Sequence, residues 1–220
     1  MIYELIETGR ASALFAGWRD SVVWSALQGV MGKIYVDSLE KLESGVAMLG
    51  DFCFLSGKPD SEIILGALAN SASEEVILVP QNDDWAQMIV ECYGEKAEKA
   101  LRYAIKKEPG IFDLEKLLKV TEKLPKEYEM RLIDQSLFEI CRETQWSKDL
   151  TANYESYSQY KEYGLGVCIL TGGELVAGIS SYSGYGRRSD ENLGCHGGIE
   201  IEVVTPLISQ SVIPPVYAGI

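Results

Sequence analysis

The sequence predicts an α/β (α+β) protein made of two successive α/β units. Between residues 33 and 94, segments in which apolar residues alternate, as in strands, are followed by segments in which they have helical spacing. The same pattern restarts after Pro125, and a hairpin pattern follows at residues 164–183. The predicted parts are therefore an N-terminal α/β domain (1–125), a second α/β domain (126–205) and an atypical tail (206–220).

In the first part, apolar residues at helical spacing predict a helix within residues 11–32. Strands are predicted next, at 33–37, 43–49 and 51–57. A helix over 61–70 that Ser61 can cap, a strand over 74–81 and a helix over 83–94 follow. Residues 95–107 continue the helical pattern, and 112–124 predict an amphipathic helix before Pro125.

In the second part, the sequence predicts a strand over 128–134 and a helix over 135–144. A polar, tyrosine-rich stretch at 147–163 predicts a helix with a loop. Strands over 164–170 and 175–183 form a hairpin, because Gly172 and Gly173 supply the positive φ angles that its turn needs. A last strand is predicted at 199–205, antiparallel to its predecessor.

The composition is that of an acidic globular protein, with 33 acidic against 20 basic residues and a net charge of -13. This charge argues against a nucleic-acid partner and mildly favours cationic ligands such as amines, although its simplest effect is solubility. The five cysteines form no C-x-x-C pair, so neither a metal site nor a disulfide framework is predicted. With no signal pattern and no membrane-length apolar run, the chain is expected in the cytoplasm.

Several sequence blocks occur in a fixed order: LQGVMGKIYVDS (27–38), GDFCFLSGKP (50–59), ILVPQNDDW (77–85), RYAIKKEPGIFD (102–113), WSKDL (146–150), YGLGVCIL (163–170), ELVAGISSYS (174–183) and GIEIEVVT (198–205). In this order and spacing the chain resembles a bacterial GNAT-type acetyltransferase family related to zwittermicin A resistance proteins.

The resemblance implies a mixed, mostly antiparallel sheet with flanking helices, splayed to admit acetyl-coenzyme A as co-substrate. It implies that the backbone of the last strand, at Ile199, Ile201, Val203 and Val204, pairs with the pantetheine arm. In the family an R-x-x-G-x-G/A turn then opens a helix that binds the pyrophosphate. The first α/β unit is predicted to be a degenerate copy of the same fold, because its strand–helix–strand–helix order over 51–93 matches the second half of a GNAT fold.

After Thr205 the sequence departs from this family pattern. Residues 206–220 contain three prolines, no basic residue and no glycine-rich turn. We therefore expect the C-terminal part of the fold to be missing, acetyl-coenzyme A to bind weakly or not at all, and the open sheet edge to promote self-association. A non-catalytic binding module or pseudoenzyme is the alternative to an active N-acetyltransferase.

The candidate catalytic residues are Glu200 and Glu202, which the period of two places on one face of the last strand. Carboxylates about 7 Å apart on a strand can bind an amine and take its proton. In similar enzymes a glutamate on this strand is a frequent general base. The alternative is a solvent-facing alternation without catalytic role.

The remaining polar candidates favour structural roles. Ser180, Ser181 and Tyr182 end the preceding strand, where they either border the acyl site or make strand-end hydrogen bonds. His196 beside Cys195 is a conceivable nucleophile pair but more typical of a loop, and Arg187 with Arg188 either meets an anionic ligand or is solvated. Tyrosines 154, 157, 160 and 163 recur every three residues, which is typical of helix packing.

Overall fold

A computed structural model describes residues 1–71, 75–101, 112–186 and 199–204, the last range as backbone only. The predictions for Arg187, Arg188, Cys195, His196 and the tail 206–220 lie outside the described residues. The described residues group into two compact units. The first unit takes its described residues from Met1–Glu98, Ala152–Gly164 and Ser181–Ile201, and the second from Lys99–Thr151, Leu165–Ser180 and the segment from Glu202 onward. The domain boundary at residue 125 stays a prediction.

The first sheet has five strands in sequence order. They are β1 (Tyr3–Glu4), β2 (Lys33–Val36), β3 (Ser44–Leu49), β4 (Phe52–Gly57) and β5 (Ile77–Val79). Neighbours are antiparallel except β4 and β5, which run parallel and pair from Phe52↔Ile77 to Phe54↔Val79. A tight turn at Gly50, whose φ is +58°, joins β3 to β4. The sheet is thus mixed and mostly antiparallel, as the family resemblance implied.

The described residues of the first unit form four α-helices: α1 (Ser21–Leu27), α2 (Ser61–Asn70), α3 (Asp83–Tyr93) and α6 (Tyr157–Tyr163). The carboxylate of Asp60 accepts a hydrogen bond from the Glu62 amide at the start of α2. The Asn82 side chain caps α3 in the same way at Trp85. Asp60, rather than the predicted Ser61, is therefore the cap of α2.

Helices α2 and α3 cover a core that is built on the middle strands of the first sheet. Alternate residues of β2, β3 and β4 supply one side of this core, as the period of two requires. Its buried members are Tyr35, Val46, Met48, Cys53, Leu55, Ile63, Ile64, Ala67 and Trp85.

The second sheet has four strands, β6 (Tyr128–Leu132), β7 (Gly166–Thr171), β8 (Glu174–Gly184) and β9 (Ile199–Val204), in that order. β6, β7 and β8 are antiparallel. The β7–β8 turn is Gly172–Gly173, with φ angles of +58° and +87°, as predicted. All three strands predicted between residues 164 and 205 are therefore confirmed.

In the second unit, α4 (Leu114–Thr121) and α5 (Gln135–Glu143) accompany this sheet. The inner face of α5 is buried together with β7 residues, in a core of Ile133, Leu137, Phe138, Cys141, Leu150, Cys168 and Leu170. No helix in the described ranges combines the length and apolarity that crossing a membrane requires.

Two helix predictions need correction. Within residues 11–32 only Ser21–Leu27 is α-helical, because the extended backbone of Asp20 starts the helix there and a 3-10 turn at Thr8–Ala11 precedes it. The helix predicted over 95–107 is wrong for its described part, residues 95–101, since Gly94 adopts φ +55° and a 3-10 turn, Gly94–Lys96, follows, whereas residues 102–107 lie outside the described residues. Residues 97–101 are not helical.

The start of α5 predicts a pH-dependent contribution to stability. The Leu137 amide, which donates to Asp134 at 2.9 Å, and the nearby Arg131 guanidinium together lower the pKa of the Asp134 carboxyl. A carboxyl whose pKa is lower in the folded state stabilises the fold above its ordinary unfolded pKa, and this contribution disappears as the pH falls through the folded value.

We expect Asp134→Ala to cost about 1 kcal/mol at neutral pH, and less in acid. Urea unfolding followed by circular dichroism at pH 7 and at pH 3 would measure both values. A cost that is the same at both pH values would contradict a role for the carboxylate charge.

Candidate active site

The predicted site strand exists as β9, Ile199–Val204, the last strand in the order of the second sheet. Among the described residues, β8 is its neighbour and no strand follows on its other side. The placement of Glu200 and Glu202 on one face of β9, with Ile199, Ile201 and Val203 on the other, stays a prediction from the period of two. The strand is confirmed, whereas the catalytic role of the glutamates and the cofactor-binding role of Ile199, Ile201, Val203 and Val204 stay predictions.

In the sheet order β9 lies next to β8. The C-terminal part of β8 forms hydrogen bonds with buried hydroxyl groups of the first unit. The Tyr154 hydroxyl and Ser181 Oγ are 2.7 Å apart, and Ser21 Oγ and Ser183 Oγ are 2.6 Å apart. Ser25 donates to the Gly184 carbonyl at 2.8 Å. All of these serines are buried. We call Ser21, Ser25, Tyr154, Ser181 and Ser183 the β8 anchor.

Tyr182 also holds the C-terminal part of β8 in place, through contacts other than those of Ser181 and Ser183. Its hydroxyl lies 2.9 Å from the Leu49 carbonyl and 2.8 Å from Asp51 Oδ1, so its single proton has two acceptors. Burial, and then the neighbouring Asp51 carboxylate, raise the pKa of Tyr182 far above its ordinary value. Asn153 donates to the Tyr182 carbonyl at 3.1 Å. Tyr182 is therefore a neutral hydrogen-bond donor to the β3–β4 turn.

Strand-end hydrogen bonding, the structural alternative for Ser181 and Tyr182, is thus what the structure shows. Ser180 is equally buried. Sequence reasoning missed the partners of the next two residues of β8, because Ser183 meets Ser21 and the Gly184 carbonyl accepts from Ser25, both on α1. Ser21 and Ser25 are four residues apart, so their small hydroxyls lie on one face of an otherwise apolar helix. This spacing was the sequence feature that could have indicated a hydrogen-bonded contact there.

In the first unit, β4 extends beyond the residues that pair with β5, so one stretch of its edge has no neighbouring strand on that side among the described residues. Their pairing ends at Phe54↔Val79, whereas β4 continues to Gly57. At Gly57 two side chains replace the missing strand: Gln81 Oε1 accepts from the Gly57 amide at 3.0 Å, and Trp85 Nε1 donates to the Gly57 carbonyl at 2.9 Å. The backbone N–H and C=O groups of Gly57 therefore both have side-chain partners where the two strands separate.

The four cysteines that the structure describes take part in no cluster of metal-ligating side chains. Across the part of the chain that the structure describes, no three metal-ligating side chains come together. Cys141 on α5 and Cys168 on β7 lie with their sulfur atoms 3.9 Å apart in the core, a proximity that their sequence positions did not indicate. Burial raises the pKa of the Cys53 thiol to about 12, so this thiol is unreactive at neutral pH.

Comparison with known proteins agrees with this architecture. Residues 12–207 match the family model described as GNAT acetyltransferase. A solved structure, the GCN5-related N-acetyltransferase-like protein from Streptococcus suis 89/1591, is 39% identical to the chain with a TM-score of 0.77. The match covers 90% of this chain and 75% of that one. No curated protein matches the chain. The chain belongs to the GNAT acetyltransferase family.

Proposed function

We propose that the chain transfers an acetyl group from acetyl-coenzyme A to an amine, with β9 as the strand along which the reaction takes place. Membership of the GNAT acetyltransferase family, with β9 formed at the end of its sheet, is the observation that carries the proposal. A relation to zwittermicin A resistance proteins and a bacterial cytoplasmic location are parts of the same proposal. The acceptor is a small-molecule amine, which the acidic surface favours.

The described residues fit the pantetheine arm of acetyl-coenzyme A. A strand with no described neighbour on one side offers the backbone N–H and C=O groups of alternate residues to an amide-bearing chain, and Ile199, Ile201, Val203 and Val204 are the residues proposed for this role. The phosphates have no comparable partner on β9, which carries no basic residue. Arg187 and Arg188, which precede β9 in the sequence, are the candidates for this contact.

Acetyl-coenzyme A supplies the acetyl group as an activated thioester. The protein's part is to place the amine and to remove its proton. Glu200 and Glu202 present two carboxylates about 7 Å apart on one strand face. One carboxylate holds the ammonium form of the acceptor, and the other takes its proton, so that the neutral amine attacks the thioester carbonyl. The new C–N bond replaces the C–S bond, and coenzyme A leaves as a thiolate that takes up a proton from solvent.

Conservative substitution tests this assignment. We expect Glu200→Gln and Glu202→Gln to lower kcat/KM for amine acetylation, the more damaging of the two by about 100-fold or more. The matched control is Glu174→Gln at the exposed start of β8, which should leave the rate unchanged. If both site variants keep wild-type kcat/KM and pH profile, the solvent-facing alternative for the two glutamates is correct.

Cofactor binding is measured separately by titration calorimetry with acetyl-coenzyme A and with S-acetyl-pantetheine, which lacks the nucleotide. Without a phosphate clamp the two ligands should bind with similar and weak affinity, because each missing charge-assisted hydrogen bond removes roughly 1.5–3 kcal/mol. Micromolar binding of acetyl-coenzyme A alone would show that a clamp exists, and Arg187→Ala with Arg188→Ala would then test its location.

A non-catalytic binding module is the second candidate function. The observation in its favour is that residues 206–220 lack the family's R-x-x-G-x-G/A turn. A chain that binds S-acetyl-pantetheine but acetylates no member of a panel of polyamines, amino sugars and amino-acid amides would support this second function.

A further inference from the structure

At the opposite end of the second sheet, the described residues leave one strand edge unpaired. β6, Tyr128–Leu132, is the first strand in the order β6-β7-β8-β9, and its pairing partner among the described residues is β7 alone. Two of its large apolar side chains are exposed to solvent, Met130 at 45% and Leu132 at 65%. An exposed, apolar strand edge is a template for pairing with another strand.

The hydrogen-bond pattern shows which backbone groups face outward. The Ile133 amide donates to the Gly166 carbonyl at 3.0 Å, so residue 133 points its backbone toward β7. Because this orientation alternates along an antiparallel strand, Arg131 and Glu129 also point toward β7. The N–H and C=O groups of Met130 and Leu132 and the C=O of Tyr128 therefore face away from the sheet, while the Tyr128 amide already donates to Pro125.

The sequence of this strand, YEMRL, is complementary to itself when it is reversed. In an antiparallel pair centred on Met130, Met130 meets its own copy and Tyr128 meets Leu132 on one face. On the other face Glu129 lies opposite Arg131, and the two-fold axis repeats this pair. Within one chain Arg131 already approaches Glu129 at 4.0 Å and Asp134 at 2.7 Å, so its guanidinium lies among carboxylates.

We propose that two copies of the chain associate through antiparallel pairing of their β6 strands, which joins the two four-stranded sheets into one continuous sheet. The pairing makes four backbone hydrogen bonds: two between the Met130 residues, and two from the Leu132 amides to the Tyr128 carbonyls. Two Glu129–Arg131 ion pairs fix the register, because a slip by one residue would remove both of them. A second copy fits this edge better than an unrelated strand, since its charges match at both positions.

Sedimentation velocity between about 5 and 200 μM tests the proposal. Five-residue edges make a small interface, so we expect a reversible monomer–dimer equilibrium in the micromolar range. Glu129→Lys and Arg131→Glu each place like charges opposite one another twice, and each should weaken the dimer at least about tenfold. Glu139→Lys, on the exposed side of α5, makes the same charge change away from β6 and should have no effect.

The decisive experiment for the β6 pairing is to mix the two charge-reversal variants. A Glu129→Lys chain opposite an Arg131→Glu chain restores opposite charges at both positions, so heterodimers should form at wild-type affinity. This recovery also shows that both variants are folded. Met130→Pro, which removes the outward amide at an edge position where proline is tolerated, should abolish dimers without unfolding the chain.

The proposal fails if the wild-type chain stays monomeric up to about 200 μM. It fails equally if dimers persist in Glu129→Lys and Met130→Pro, which would place the contact elsewhere, for example at the β9 end of the sheet. Mixing that gives no heterodimer would also overturn it.

Discussion

Replacing Trp85 with alanine is expected to lower the free energy of unfolding by about 3–5 kcal/mol. Trp85 is completely buried between α3 and the first sheet, and it is the largest fully buried side chain of the described residues. Its removal leaves a cavity in the core and also removes the donor to the Gly57 carbonyl. Urea unfolding followed by far-ultraviolet circular dichroism measures the loss without depending on tryptophan emission.

Trp85→Phe separates the two contributions. Phenylalanine keeps most of the packed volume but has no N–H, so we expect this variant to lose about 1–2 kcal/mol. A cost as large as that of alanine would show that the hydrogen bond, rather than the packing, dominates. An alanine variant that loses less than about 1 kcal/mol would contradict the packing role of Trp85.

Gly57→Ala is the second substitution expected to have a large effect, with a loss of about 3 kcal/mol or more. Gly57 has φ +84°, where an L residue is strained, and an added Cβ would overlap the Glu43 carbonyl oxygen. That oxygen cannot move away easily, because it accepts the Lys58 amide at 2.9 Å. The added Cβ would also meet Leu14 Cδ1 at 2.5 Å.

Gly173→Ala is the matched control for this substitution. Gly173 has nearly the same backbone angle, φ +87°, but nothing lies within 4 Å of the position of its Cβ. Its cost should therefore be the strain alone, about 1–2 kcal/mol. The difference between the two variants in urea unfolding gives the cost of the overlap at Gly57, and equal costs would mean that the Glu43 carbonyl gives way.

The sequence was sufficient to predict those elements whose structure depends on local residue patterns. The alternation in β7 and β9 and the Gly172–Gly173 turn predicted the strands and the hairpin, because side-chain period and turn geometry are short-range properties. The apolar spacing of residues 11–32 predicts a helix within this range but not its ends, and the α-helix is confined to Ser21–Leu27. Backbone geometry at Asp20, which periodicity does not report, determines that boundary.

The contacts around the candidate site could not be predicted in the same way. Ser21 and Ser183, which share a hydrogen bond, are 162 positions apart, and Trp85 reaches Gly57 across the crossover between β4 and β5. Such pairs depend on how elements pack, so a single sequence gives their residue types but not their partners. The roles of Glu200 and Glu202 depend on the direction of side chains on β9, and they remain predictions for the kinetic tests above.

The parallel pairing of β4 and β5 has a consequence for the order of folding. β2, β3 and β4 join through short antiparallel connections, whereas β5 reaches β4 after the chain has passed through α2. The loop-closure entropy of that longer connection must be overcome before its three residue pairs contribute. We therefore expect the meander β2–β3–β4 to form early in the folding of this unit, and β5 to join it in a later step, together with Trp85 and the helix α3 that carries it.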